Sequence, residues 1–378
     1  MKTGIIARGL TKGGVARFIR NILHQFNTMA GSDPESPEFV VFTDSDEFSH
    51  GFNNISVIHV PRPSAADRIN KLLWDYAMIL PRIMSEKPDV LIFPKNIIPF
   101  TSSMLRCRMI NIIHDLGYFE SNINPYPFWD TVYMKSLMSL SCSIASRTIA
   151  VSHSTKNDLI DRFRLNPGSI DVCHEGVEKK FRPVDDQAEV RKTLDRYGIS
   201  RPFVLYCGSL SPRKNVLGTL KAFDLIKKRI PHNIYLAVNY SLRADDTVRF
   251  MEHNLGDRAK IIGFTGDEDL VRLYSAADLF MYPSLYEGFG LPILEAQACG
   301  CPVITSNVTS CPEVAGKGAH IVDPFSITDM SRGMEKVLKD SEYKKTLIEE
   351  GRKNTGRFSW KKTARNILET CNKSFKQK

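Results

Sequence analysis

The chain has 378 residues, 42% of them apolar, and a formal net charge of +9. That length can bury a large core and suggests two domains, and no run of about eighteen apolar residues is present to make a membrane-spanning helix. The basic excess is scattered rather than gathered into a stripe, which argues against nucleic acid and favours phosphorylated small molecules or an anionic membrane face.

The first apolar run, Thr3 to Ala7, reads as a strand and is too short for a signal peptide. It leads through a glycine loop ending in Gly13-Gly14 into an amphipathic helix in which Val15, Phe18, Ile19, Ile22, Leu23 and Phe26 form an i, i+3, i+4 stripe. The loop has neither the G-x-x-x-x-G-K-S/T nor the GxGxxG spacing, so Gly13 and Gly14 say only that a ligand or another backbone comes near. Further strands are expected at Phe39–Phe42, Ile55–Val60, Val90–Phe93, Met109–Ile113, Ile149–Val151 and Ile170–Cys173. His114 follows one of them directly. Parallel sheets bind ligands at the carboxyl ends of their strands, so His114 is either a site residue or a structural histidine at a strand end. Ser152 caps the helix that begins after Val151.

From Arg182-Pro183 to Arg201-Pro202 the pattern turns charged and is bracketed by prolines, the expected inter-domain linker. A second alternating series follows, with strands at Phe203–Cys207, Ile234–Val238, Ala259–Ile262 and Leu279–Tyr282 and helices at Val216–Lys228 and Asp269–Ala276. The chain closes on an amphipathic helix after Arg357-Phe358-Ser359-Trp360. Strands alternating with helices almost throughout predict an α/β protein with parallel sheets. Eight cysteines lie without paired spacing, and Cys299 and Cys301 are too close for a zinc knuckle. A reducing, cytoplasmic compartment is expected, where the Asn307-Val308-Thr309 sequon stays unmodified.

Chemistry concentrates in two loops of the second series. Gly208-Ser209-Leu210-Ser211-Pro212-Arg213-Lys214 joins a strand to a helix, and an Arg–Lys pair there can hold a diphosphate or can be a solvated turn. Glu287 and Glu295 stand eight residues apart across Gly288-Phe289-Gly290-Leu291-Pro292, between a strand and a helix N-terminus. Free N–H groups and the positive end of the helix suit a phosphorylated, polyhydroxylated ligand. An ordinary βα turn with two solvated carboxylates has the same spacing. Two Rossmann-like halves facing each other across a cleft would bring these loops to His114 and to Gly13-Gly14.

The segments YEGFGLPILEAQACGCPVITSN, GSLSPRKN, VSHSTKNDLI and FSW resemble the retaining nucleotide-sugar glycosyltransferases of family 4, which have the GT-B fold. The resemblance covers both halves. It implies two Rossmann-like domains across a deep cleft, an N-terminal acceptor domain (1–182), a hinge (183–201), a nucleotide-sugar domain (202–357), and a last segment (358–378) returning to the N-terminal domain. Glu287 would lie beside the donor sugar and Glu295 on the ribose hydroxyls. The main-chain N–H groups of Phe289, Gly290 and Leu291, with Gly288, would hold sugar hydroxyls and phosphate. Arg213 and Lys214 would clamp the diphosphate, replacing a metal, so no metal and no cofactor are expected. His114 would contact the donor sugar near the reacting carbon, Gly13 and Gly14 would close on the phosphates beside Gly208 and Ser209, and Thr265 and Asp267 would meet the base. One departure is that many members of that family carry Arg directly after the strand–loop glycine, where this chain has Ser209. Either Arg213, four residues on, supplies that charge or leaving-group activation rests mainly on Lys214.

The implied reaction moves a hexose from GDP-mannose, or from a UDP-hexose, to a hydroxyl of a glycan or lipid-linked acceptor with retention. Double displacement needs a carboxylate nucleophile near the reacting carbon and none stands out in the sequence, which favours front-face attack. A non-catalytic nucleotide-sugar-binding subunit and, without its fingerprint, a nicotinamide oxidoreductase are the competing classes. No nucleic-acid partner is expected. The amphipathic stretch Asp67–Ile83, flanked by Arg62, Arg68, Lys71 and Arg82, is either core or a contact with the cytoplasmic face of an anionic membrane.

Overall fold

All the described strands pair in parallel; the central ones are short apolar runs buried on both faces, and most are joined by helical crossovers. The computed structural model describes residues 1–8, 13–32, 36–45, 51–62, 72–120, 123, 127–239 and 245–376. Two units emerge: Met1–Phe119 with Tyr126–Gly176 and Trp360–Lys378, and Val177–Ser359 with Glu120–Pro125.

The first unit runs β1 (Lys2–Ala7), α1 (Gly14–Ser32), β2 (Glu38–Thr43), β3 (Ser56–His59), α2 (Leu80–Glu86), β4 (Val90–Phe93), β5 (Arg108–Ile113), α3 (Phe128–Ile144), β6 (Arg147–Ala150), α4 (His153–Phe163) and β7 (Ile170–Val172). Its sheet has the order β3-β2-β1-β4-β5-β6-β7. The stripe read on α1 is its core face, with Phe18, Ile19, Ile22, Leu23 and Phe26 all buried. Ser152 accepts a hydrogen bond from Thr155 N at 3.0 Å and caps α4 as expected. Of the amphipathic stretch at 67–83, residues 67–71 lie outside the described residues. In the remainder a π-helical turn at Trp74–Met78 precedes α2, and Trp74, Ile79 and Ile83 are core residues.

The second unit runs α5 (Gln187–Tyr197), β8 (Phe203–Ser209), α6 (Val216–Ile226), β9 (Asn233–Asn239), α7 (Asp245–Phe250), β10 (Ala259–Ile261), α8 (Asp267–Ala276), β11 (Leu279–Tyr282), α9 (Leu291–Ala298), β12 (Val303–Ser306), α10 (Cys311–Ala315), β13 (Ala319–Val322), α11 (Ile327–Lys339) and α12 (Ser341–Thr355). Its strand order is β10-β9-β8-β11-β12-β13. The final helix, α13 (Trp360–Lys376), belongs to the first unit and packs on α1, where the Phe18 and Trp360 rings meet at 5.8 Å.

In each sheet the first strand has the second strand on one side and the fourth on the other, so the connections leave in opposite directions and open a crevice at the carboxyl ends. In the second unit that switch point lies between β8 and β11.

The linker expected at 183–201 is instead occupied mostly by α5, which packs on α8 within the second unit. Asp186 accepts hydrogen bonds from Ala188 N (2.9 Å) and Glu189 N (3.2 Å), and Gly198 ends the helix at φ 62°. Only Val190, Thr193 and Leu194 of this helix are buried, which is why its composition looks like a linker. Apart from Glu120–Pro125, the chain leaves the first unit between Gly176 and Val177 and re-enters it at Trp360.

Candidate functional site

The loops after β8 and β11 flank the switch point of the second unit, and they carry the residues that the sequence singles out. After Gly208, whose φ of 146° favours glycine, the chain makes a 3-10 turn at Pro212–Lys214 and enters α6 through Asn215 in the left-handed region. Asn215 anchors this turn by donating from Nδ2 to Pro283 O (3.2 Å) and Pro324 O (2.7 Å). Leu285 N donates to Arg213 O at 2.7 Å, tying the two loops together. Ser310 Oγ holds the glutamate loop, its one proton lying between Phe289 O (2.7 Å) and Glu287 O (3.0 Å).

These anchors converge Arg213, Lys214 and Glu287. Lys214 Nζ donates to Glu287 Oε1 at 2.5 Å and to the Tyr282 hydroxyl at 2.5 Å. That hydroxyl donates to Glu287 Oε1 at 3.0 Å, and Arg213 Nη1 donates to Glu287 Oε2 and to Tyr286 O, both at 3.2 Å. Glu287 is 7% exposed and Lys214 9%. Burial alone would raise the Glu287 carboxyl, but Lys214 and Arg213 outweigh it and hold the group at about 2. Burial also pulls the Lys214 ammonium down, with Glu287 opposing. The two tendencies conflict. The ionised pair is the resting state, because the carboxylate faces two cations and a phenol at hydrogen-bond distance. Ser209 is exposed and pairs with Ser211 Oγ at 3.0 Å, whereas Arg213 shares a carboxylate with Lys214.

Gly290 has φ 108° and caps α9, which starts at Leu291 and carries Pro292 in its first turn. Among the described residues none accepts from the N–H of Gly290 or Leu291. Gly288, Phe289 and Leu291 are buried around this turn. Glu295 is 3% exposed on α9, which packs against α8. Thr265 is buried in the loop before α8, and Asp267 in the first turn of α8 pairs with Lys180 at 2.6 Å.

In the first unit, the carboxyl ends of β1, β4 and β5 surround a cavity of about 360 Å³. Arg8, Asp75, Lys95, Asn96, His114 and Asp115 supply its polar wall, and Trp74, Ile79 and Ile83 its apolar one. Arg8 is ion-paired with Asp75 and its carbonyl accepts from Lys95. His114 is 8% exposed, with Nδ1 3.2 Å from Glu175 Oε1 and Nε2 3.1 Å from Pro94 O. Both ring nitrogens therefore meet protein acceptors, and a sugar hydroxyl could use one only by displacing its partner. Gly13 has φ 99°, and a Cβ at Gly13 or Gly14 would meet open space. The rest of that loop, 9–12, lies outside the described residues.

Tyr282, Asn215, Ser310 and Glu175 were not read from the sequence as site residues. Tyr282 ends an apolar strand and reads as core, and the others act through partners far along the chain. Asn215 alone left a local signal, an Asn directly after the Arg–Lys pair.

A family model described as Glycosyl transferases group 1 matches residues 191–354, and one described as Glycosyltransferase Family 4 matches residues 12–181. The chain is 32% identical to O-antigen chain mannosyltransferase B of Escherichia coli over 257 residues, 67% of each protein. It is 31% identical to the serotype-specific mannosyltransferase WbdA of Escherichia coli over 60% of this chain, which spans only 28% of WbdA. Anabaena HepE, solved in complex with UDP and glucose, aligns at a TM-score of 0.75 and 17% identity, covering 98% of this chain and 99% of HepE. That likeness gives the fold, an α/β protein of the GT-B type.

Proposed function

The chain belongs to glycosyltransferase family 4 and is a hexosyltransferase; we propose that it moves mannose from GDP-mannose to a hydroxyl of a glycan or lipid-linked acceptor, with retention at the anomeric carbon. The observation that carries this is the convergence of Arg213, Lys214 and Glu287 at the switch point of the second unit. The two mannosyltransferase relatives support the choice of sugar.

As the glycosidic bond breaks, negative charge gathers on the departing diphosphate. Arg213 and Lys214 stabilise that charge, and Glu287 keeps Lys214 charged despite its burial. Arg213 supplies the positive charge that Ser209 lacks. The N–H groups of Phe289, Gly290 and Leu291 bind at the positive end of α9, and the Glu295 carboxylate accepts from the ribose diol. Thr265 and Asp267 are assigned to the base, and Gly13, Gly14 and Gly208 to close approach of the phosphates. His114 is assigned to the reacting sugar. No metal or cofactor takes part, and the departing phosphate oxygen accepts the acceptor's proton during front-face attack. The protein works in the cytoplasm, on glycoconjugates at the membrane face.

Incubation with GDP-mannose and a mannose-terminated acceptor, with and without EDTA, tests this. An α-mannosidic product seen by NMR and unaffected by EDTA is expected. A β-linked product would overturn retention, and loss of activity with EDTA would overturn metal independence. Transfer from a UDP-hexose alone would reassign the donor. Release of no nucleotide from any nucleotide-sugar would point to a binding subunit.

A further inference from the structure

His114 lines the cavity of the first unit, and behind it lies a buried carboxylate that has no part in the chemistry so far. Glu175 follows β7, is 4% exposed, and is absent from the cavity wall. Its Oε1 is 3.2 Å from His114 Nδ1. The ring is fixed on other sides as well. Nε2 faces Pro94 O at 3.1 Å, Phe18 packs edge-on at 4.8 Å, and the main-chain N of His114 donates to Asn96 Oδ1 at 2.7 Å.

We propose that Glu175 is a positioning residue that acts on transfer through His114, by holding the proton on Nδ1 and fixing the plane of the ring. An ionised carboxylate only accepts, so the Nδ1 contact requires Nδ1–H. Pro94 O is also an acceptor, so the second contact is made only when Nε2 carries a proton too. Glu175 thus decides which nitrogen is always occupied and which one can change, a role that carboxylates play behind working histidines elsewhere. Without it the ring loses the contact that selects Nδ1–H, and it can exchange tautomers while Phe18 and Pro94 still confine its position. The proposal rests on the hexosyltransferase reading and on the place of His114 in it.

Kinetics and NMR on the full chain test the proposal separately from that reading. The Glu175→Ala variant is expected to lower kcat by about tenfold or more with donor KM within about twofold. Glu175→Gln, whose amide oxygen still accepts from Nδ1–H, should recover most of that loss. Glu175→Ala added to His114→Ala should cost nothing further, because the carboxylate acts only through the ring. Nitrogen-15 spectra should show a protonated Nδ1 for His114 in the wild type and a tautomer mixture in Glu175→Ala. If Glu175→Ala lowers kcat equally in the His114→Ala background, or leaves the His114 spectrum unchanged, the inference fails. If His114→Ala transfers at the wild-type rate, the role of His114 fails instead, and the spectra still decide whether Glu175 sets its tautomer. Should Glu175→Ala not fold, the same comparisons apply to Glu175→Gln against Glu175→Leu.

Discussion

Replacing Glu287 with glutamine keeps the shape of the side chain and removes its charge, which isolates what the carboxylate does for the two cations. The group is 7% exposed and is held at about 2 against an ordinary 4.5. At about 1.4 kcal/mol per pH unit, that depression corresponds to about 3 kcal/mol of stability at pH 7. The loss on breaking a buried pair is of similar size, about 3–5 kcal/mol, because Lys214 would be left buried and uncompensated. The sign follows from the depressed value. The contribution is fully present above about 4.5, falls as the pH drops through that range, and is gone below about 2. Urea unfolding of the wild type and Glu287→Gln should therefore differ by about 3 kcal/mol at pH 7 and by about 2 kcal/mol at pH 3.5. The Lys214→Met/Glu287→Gln pair should regain much of the loss, since neither charge is then left alone. A difference that does not change with pH, or a fully additive double variant, would refute the ion-pair account. Turnover should fall in Glu287→Gln as well, because burial would discharge Lys214 once its counter-charge is removed.

Other outcomes follow from the same geometry. Arg213→Ala should lower kcat by about two orders of magnitude, and adding Ser209→Arg should restore part of it if the two positions serve one phosphate site; steady-state kinetics with no rescue would separate them. Tyr282→Phe removes the hydroxyl shared by Lys214 and Glu287, and should cost about 1–2 kcal/mol in thermal unfolding. Glu295→Ala should weaken donor binding by about tenfold in calorimetry while kcat changes less, and the reverse pattern would move the residue to the reacting sugar.

Much of this architecture was legible because fully buried parallel strands are apolar runs with sharp ends. Val90–Phe93 and Leu279–Tyr282 can be read to the residue for that reason. β12 and β13 escaped: Val303–Ser306 ends in two polar residues that are nonetheless buried, and Ala319–Val322 carries His320 and an exposed Ile321. The α5 segment was misread because a helix that buries three side chains has the composition of a surface loop. Asp186 as its cap and Gly198 as its stop are the local signals that mark it as a helix. At the site, Arg213, Lys214 and Glu287 could be found from their places at strand ends. That the two cations share one carboxylate could not, since their meeting depends on β8 lying beside β11. The two contacts of the His114 ring are hidden in the same way, as Pro94 and Glu175 come to it from β4 and β7.

The return of α13 to the first unit has a consequence for the order of synthesis. The face of α1 that carries Phe18, and with it the ring edge resting on His114, is covered by Trp360 and its helix. A ribosome makes that helix only after the whole of Val177–Ser359. The unit that is started first is therefore finished last, and a domain-by-domain folding order leaves its α1 face open while the other unit is being made. A nascent chain paused before Trp360 would hold a complete second sheet and a first unit in which Phe18, the ring that rests on His114, still lacks its outer cover.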